Sequence, residues 1–205
     1  MENEEALERL PGRVSGSSIY IYLLLAAILA LGFYVTVVRP FNRPDINTAP
    51  QARITKGSSA DGEIFLNYPA TWSQLTEGEL AKYNGAFVLA IERTNPRVFL
   101  SVKTQTINAA NVKLEELAGS LDRQILKTFT DAKKLSHDVI TLSGKRQALR
   151  YEYSFQSASK AKVREQLVIM PADSKVYHIS ASAREEDFES VRGELNSMIQ
   201  SFEIK

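Results

Sequence analysis

Residues Ile19 to Val38 read IYIYLLLAAILALGFYVTVV, a run of twenty positions without a charge. At about 1.5 Å rise per residue such a helix is about 30 Å long, the thickness of a bilayer's hydrocarbon core. A segment of this kind is expected to cross a membrane. Tyr20 and Tyr22 at one end, and Phe33 and Tyr34 near the other, stand where amphipathic rings favour the headgroup layer, and Arg39 and Pro40 close the run. A buried core helix would carry a polar stripe. A cleavable signal peptide would have a shorter apolar core and a small-residue cleavage site, where this chain has Val37, Val38, Arg39 and Pro40. The run is therefore read as a retained single-pass anchor, marked by Ile19, Tyr20, Tyr22, Leu25, Ala26, Ala30, Phe33, Tyr34 and Val38. Ala26 and Ala30 add a small-xxx-small spacing, a weak sign of helix association.

Arg9 and Arg13 precede the run, whereas Arg39, Arg43, Arg53 and Lys56 follow it. By the positive-inside rule this leans weakly toward a cytoplasmic C-terminus, but a margin of one or two charges decides little. The short tail, the proline-containing linker and a cysteine-free, β-rich remainder favour an extracytoplasmic domain at the cell membrane. The absence of cysteine excludes a lipid-attached cysteine, a disulfide framework, a thiolate zinc site and a cysteine nucleophile. A net charge of +1 gives no field that would favour nucleic acid. Locally, Lys127, Lys133, Lys134, Lys145, Arg146, Lys160, Lys162 and Arg164 form a basic stretch. Solvated faces explain such a stretch, and the alternative is a basic face toward anionic lipid or an acidic partner.

Residues 1–18 form a tail, 19–38 the span, and 39–61 a linker with proline and few large apolar residues. The remainder, 62–205, is long enough for one domain with its own core. Glu63 to Tyr68 reads as a strand ended by Pro69, with Trp72 placed to close one end of the core. Gly85 to Glu92 and Arg97 to Thr106 form a hairpin around Thr94, Asn95 and Pro96. Asn111 can cap a helix to about Thr130, with Leu114, Leu117, Leu121, Ile125 and Phe129 on one face. Three hairpin-linked strands follow, at about 134–142, 145–156 and 162–170. In the middle one Leu149, Tyr151, Tyr153 and Phe155 alternate with Arg150, Glu152 and Ser154, which implies an antiparallel sheet with one face buried. After a strand from Lys175 to Ala181, Ser182 and Glu185 have capping-box spacing before a helix bearing Phe188, Val191, Leu195 and Met198. Strands, helix, strands, helix in this order predict an α+β domain built on an antiparallel sheet.

Tyr68, Pro69 and Trp72, then Gly144 and Ala148 with Tyr151 and Tyr153, then Val176 to Ala181 leading through Phe188 to Ile199, Ser201 and Phe202, resemble the PsbP-like domains. The resemblance covers about residues 62–204. It implies an α/β/α sandwich whose family members mostly bind and stabilise other proteins, and it brings no catalytic residues. An apolar span stands where relatives commonly have a transit peptide or a lipid-attached cysteine, so no photosynthetic role is carried over.

The residues themselves offer little chemistry. His137 and His178 share no metal-ligand spacing. A Ser-His-Asp triad is recognised by geometry rather than spacing, but no G-x-S-x-G marks a serine. His178 reads as a strand residue with an ordinary hydrogen-bond partner. Glu115 with Glu116, and Glu185 to Asp187, lie in first turns of expected helices, where the helix dipole favours them. No phosphate loop or dinucleotide fingerprint is present, and the strand-spaced aromatics read as core rather than a base-stacking platform. The expectation is a non-catalytic accessory protein without a cofactor or metal, embedded in the lipid bilayer and engaging a membrane or envelope protein complex. The alternatives are a tethered small-ligand domain or hydrolase using Tyr151, Tyr153 or His178, and an anionic-lipid surface module.

Overall fold

A computed structural model describes residues 53–106, 114–157 and 159–205. The tail, the span and residues 39–52 of the linker lie outside the described residues, as does the Asn111 cap. Among the described residues no helix is long and apolar enough to cross a membrane.

The described residues form two antiparallel sheets. The smaller has the order β1-β2-β10, made of Ile54–Ser58, Ile64–Pro69 and Glu203–Ile204. The larger has seven strands in the order β3-β4-β5-β9-β8-β7-β6. In chain order these are β3 (Ser73–Gln74), β4 (Leu89–Thr94), β5 (Arg97–Thr106), β6 (Thr130–Thr141), β7 (Gln147–Gln156), β8 (Lys162–Ala172) and β9 (Lys175–Arg184). Among the described residues three α-helices accompany them: α1 (Glu77–Leu80), α2 (Leu114–Thr128) and α3 (Glu185–Gln200).

Strand parity divides the core. Val168 and Met170 of β8 pack with Ile179 and Ala181 of β9, and with Phe188, Val191, Leu195, Met198 and Ile199 of α3, in a cluster that also takes Ile64, Leu66 and Trp72 from the small-sheet side. The alternate residues of β8, Val163, Leu167 and Ile169, pack with Leu121 and Ile125 of α2. Side chains alternate across a sheet, so α2 and α3 cover opposite faces. That is the expected α/β/α arrangement, with a second small sheet beside α3. A third cluster, Leu75, Tyr83, Phe87, Ala90 and Phe99, covers the α2 side of β4 and β5 under α1 and the turn after it.

Three sequence expectations are corrected. Strand β1 lies within the stretch assigned to the linker; its apolar content is small because Ile54, Thr55 and Lys56 are exposed and only Gly57 is buried in it. Ser182 and Glu185 form no capping box, since β9 continues through Arg184, which is the N-cap without a side-chain bond. A capping box forms instead at Thr76 and Glu79, opening α1. Strand β6 starts at Thr130, four residues earlier than expected, and carries two register shifts against β7.

Gly57 shows how the two sheets are fastened. Gln74 of β3 accepts from Ser58 N–H at 3.2 Å and donates to Ser58 C=O at 2.8 Å, tying the large sheet to the small one. A Cβ on Gly57 would lie 2.7 Å from Gln74 Oε1 and 2.9 Å from Tyr68 Cε1. Gly57→Ala is therefore expected to destabilise the domain by about 1–3 kcal/mol, the usual cost of overpacking. A urea unfolding midpoint equal to the wild type's would refute this clamp.

Candidate functional site

Two regions on the α2 side of the large sheet stand out, one by burial and one by exposure. The first crosses the central strands. On β5, Phe99, Ser101, Lys103 and Gln105 share the face opposite Val98, Leu100 and Val102; on β9 the same face carries Val176, His178, Ser180 and Ser182; on β8 it carries Glu165. The register sets Lys103 beside His178, Ser101 beside Ser180, and Ser182 beside Glu165. These groups form a polar strip between the apolar cluster under α1 and the one under α2. Ser101, Lys103, Gln105, Glu165, His178 and Ser182 are all buried.

Burial sets the electrostatics of the strip. Loss of solvent pushes the Glu165 carboxyl up to about 7, against a hydrogen bond donated by Ser180 Oγ at 2.8 Å. The same cause brings Lys103 down to about 8. His178 falls to about 4, chiefly through burial and secondarily through the charge of Lys103. At neutral pH the imidazole is thus uncharged and the lysine is the strip's cation. Neither His178 Nδ1 nor Nε2, nor Gln105 Oε1, has a hydrogen-bond partner among the described residues. This corrects the expectation of an ordinary partner for His178. It is also uncommon, because a buried polar atom left unpaired costs about 1–3 kcal/mol.

Beyond the strip, Tyr153 OH donates to Asp122 Oδ1 of α2 at 3.1 Å, and Lys134 Nζ reaches Asp122 Oδ2 at 2.7 Å. Desolvation, with Asp122 adding to it, drives the Tyr153 hydroxyl well above its ordinary value, so it stays protonated and donates. Tyr151 stacks on Tyr153 and on His137, with centroids 5.8 and 5.9 Å apart. Tyr151 and Tyr153 belong to the apolar cluster under α2, so of the three alternative site residues only His178 lies in the strip.

The second region is the outer edge of the sheet. Strand β6 is terminal in the strand order, and nearly every residue in it is exposed. Leu135 is 44% and Val139 61% exposed. Lys and register irregularities are the usual protection of an open edge, and β6 has both.

The basic residues do not gather on one face. Lys127, Lys133, Lys160 and Lys162 lie toward the end where β6 begins and β7 turns into β8; Lys162 is 3.8 Å from Glu185. Lys145 and Arg146 lie in the β6–β7 turn, roughly 30 Å away at about 3.3 Å per residue. Lys134 is paired with Asp122. Arg164 is on the α3 side, bonded to Glu152 and, at 2.7 Å, to Glu189. Among the described residues no group of three His, Asp or Glu could hold a metal ion.

Lys103, Gln105 and Glu165 escape sequence reasoning because half-polar strands read as solvent-facing. A signal was available: Lys103 follows Val98 to Val102 almost without interruption, and Glu165 is set among Val163, Leu167, Val168 and Ile169. Strands apolar at both parities have both faces covered.

The PsbP family profile matches residues 58–204. No curated protein sequence matches the chain. Among solved structures, the cyanobacterial PsbP (CyanoP) of Synechocystis sp. PCC 6803 superposes with a TM-score of 0.56 at 13% identity, covering 79% of this chain and 98% of its own. LpqN of Mycobacterium tuberculosis, described as involved in cell envelope biogenesis, gives 0.53 at 17%, covering 76% and 92%. The Ran-binding protein Mog1p of Saccharomyces cerevisiae gives 0.51 at 11%, covering 75% and 96%. At such identities these likenesses concern the fold.

Proposed function

This chain belongs to the PsbP family, and from that premise we propose that it is a non-catalytic accessory protein that binds and stabilises a membrane or envelope protein complex. The observation that carries the reading is β6, an open strand edge with Leu135 and Val139 turned to solvent. An exposed edge offers unpaired backbone donors and acceptors, and apolar side chains on it supply the area that a protein partner would cover. The apolar run 19–38 fits this role as a single-pass anchor, with the domain on the extracytoplasmic side. Tethering keeps the domain near the bilayer and raises its effective concentration toward a membrane-embedded partner. Two fold relatives, the Ran-binding protein of Saccharomyces cerevisiae and the envelope-biogenesis protein of Mycobacterium tuberculosis, support the same direction. The dispersal of the basic residues makes a lipid-surface module the weaker reading.

The test is the full chain extracted from its native membranes in mild detergent. It is expected to migrate in a complex larger than itself, and Leu135→Asp with Val139→Asp is expected to return it to its own size while its circular dichroism is unchanged. Wild-type chain that migrates alone, or a complex indifferent to both substitutions, would overturn the reading. Deleting residues 19–38 should move the chain to the soluble fraction.

A further inference from the structure

We infer that the polar strip across β5, β9 and β8 is a binding site for a small hydroxycarboxylate carrying a single negative charge. The inference does not depend on the partner-binding role of β6. It starts from the register: Lys103 and His178 are direct cross-strand neighbours on one face, with Ser101 and Gln105 each two residues away along β5. Cross-strand neighbours have Cβ atoms about 4.5–5.5 Å apart and same-face neighbours along a strand are about 6.6 Å apart, so one small molecule can touch the ammonium and the imidazole together with the amide on one side of Lys103.

The chemistry of the strip selects the guest. Lys103 has no ion-pair partner among the described residues and faces a buried environment, where an anion on it would be only weakly screened. A neutral imidazole supplies one donor and one acceptor. The Gln105 Oε1 atom, unpartnered among the described residues, asks for a further donor on the guest. One cation, one mixed donor and acceptor, and one acceptor describe the complement of a carboxylate with a neighbouring hydroxyl. A phosphate dianion fits less well: it would face one lysine, a neutral imidazole and, two strands from Lys103, the Glu165 carboxyl. The apolar cluster around Phe99 and Tyr83 bounds the strip on one side, and that around Leu167 and Ile169 on the other, which keeps the guest small.

The test uses the full chain in detergent micelles with lactate, propionate and inorganic phosphate as probes. Only two histidines occur in the chain, so His137→Gln leaves His178 as the sole imidazole signal by nuclear magnetic resonance. Lactate is expected to shift the His178 signals in a saturable way, propionate to bind more weakly because it lacks the hydroxyl, and phosphate to leave them unmoved. Lys103→Met should weaken lactate binding about tenfold or more, as expected for losing one charge-assisted hydrogen bond. Gln105→Leu, which leaves the cation in place, should remove the preference for lactate over propionate. Absence of any lactate shift, equal binding by Lys103→Met, or phosphate binding as tight as lactate would each overturn the inference.

Discussion

Glu165→Gln is expected to make the domain more stable above about pH 7, by about 3 kcal/mol, while changing it little near pH 4. The folded carboxyl titrates at about 7, against an ordinary value of 4.5. Below 4.5 both folded and unfolded chains hold the proton, and burial costs nothing extra. As pH rises from 4.5 to about 7 the unfolded chain ionises first, so stability falls, and above about 7 the full cost of a buried carboxylate is present. Glutamine removes that ionisation and can still accept from Ser180. For a domain of this size the gain corresponds to a rise in melting temperature on the order of 10 °C.

His178 gives the experiment a second signature. Its folded value is about 4 against an ordinary 6.5, so it removes stability as pH falls through that interval. Between 4.5 and 6.5 the two groups act with opposite sign and similar slope, and nearly cancel in the wild type. The Glu165→Gln variant should therefore show a pH dependence there that the wild type lacks, with stability rising with pH. Urea midpoints measured across this range for both proteins decide it. Parallel curves would mean that Glu165 is charged in the folded state at little cost, and that the strip is wetter than its burial implies.

These groups also mark where the sequence stops being readable. The alternation of Leu149, Tyr151, Tyr153 and Phe155 places one face of β7 against α2, as the structure does. The stripe Phe188, Val191, Leu195 and Met198 likewise places α3 against the sheet. Both patterns are local, so their periods appear in sequence. The strip is not local. Lys103, His178 and Glu165 come together only because β9 lies between β5 and β8, an order set by the topology and not by any short spacing. The family resemblance gives the fold but assigns no residue in the strip. Burial of Ser101, Ser182 and Lys103 depends on what covers the α2 side of the sheet, which strand period alone does not reveal. The edge character of β6 has the same origin, since any of the central strands could have been terminal from sequence alone.

Phe188→Ala is expected to cost about 3–5 kcal/mol, the usual price of emptying a buried aromatic site and a large part of the roughly 5–15 kcal/mol that holds a domain together. Phe188 is fully buried in the first turn of α3. Two cations lie against its ring, the Arg164 and Arg192 guanidinium carbons standing 5.2 and 5.0 Å from the centroid. Both arginines bond the buried Glu152 of β7, and both bond Glu189 of α3. Burial works to raise the Glu152 carboxyl, but the hydrogen bonds and charges of Arg192 and Arg164 outweigh it and hold it below its ordinary value. The ring and the ion network should therefore be coupled: removing the ring lets water reach the charges and weakens their attraction. Glu152→Gln combined with Phe188→Ala is expected to cost less than the sum of the two, by about 0.5–3 kcal/mol, in urea unfolding of the four proteins of the cycle. Strict additivity would show that Phe188 acts by volume alone. Coupling would instead make this corner one unit that fixes β7 and β8 from the α3 side, and so holds Glu165, between Arg164 and Gln166, in the strip on the other side.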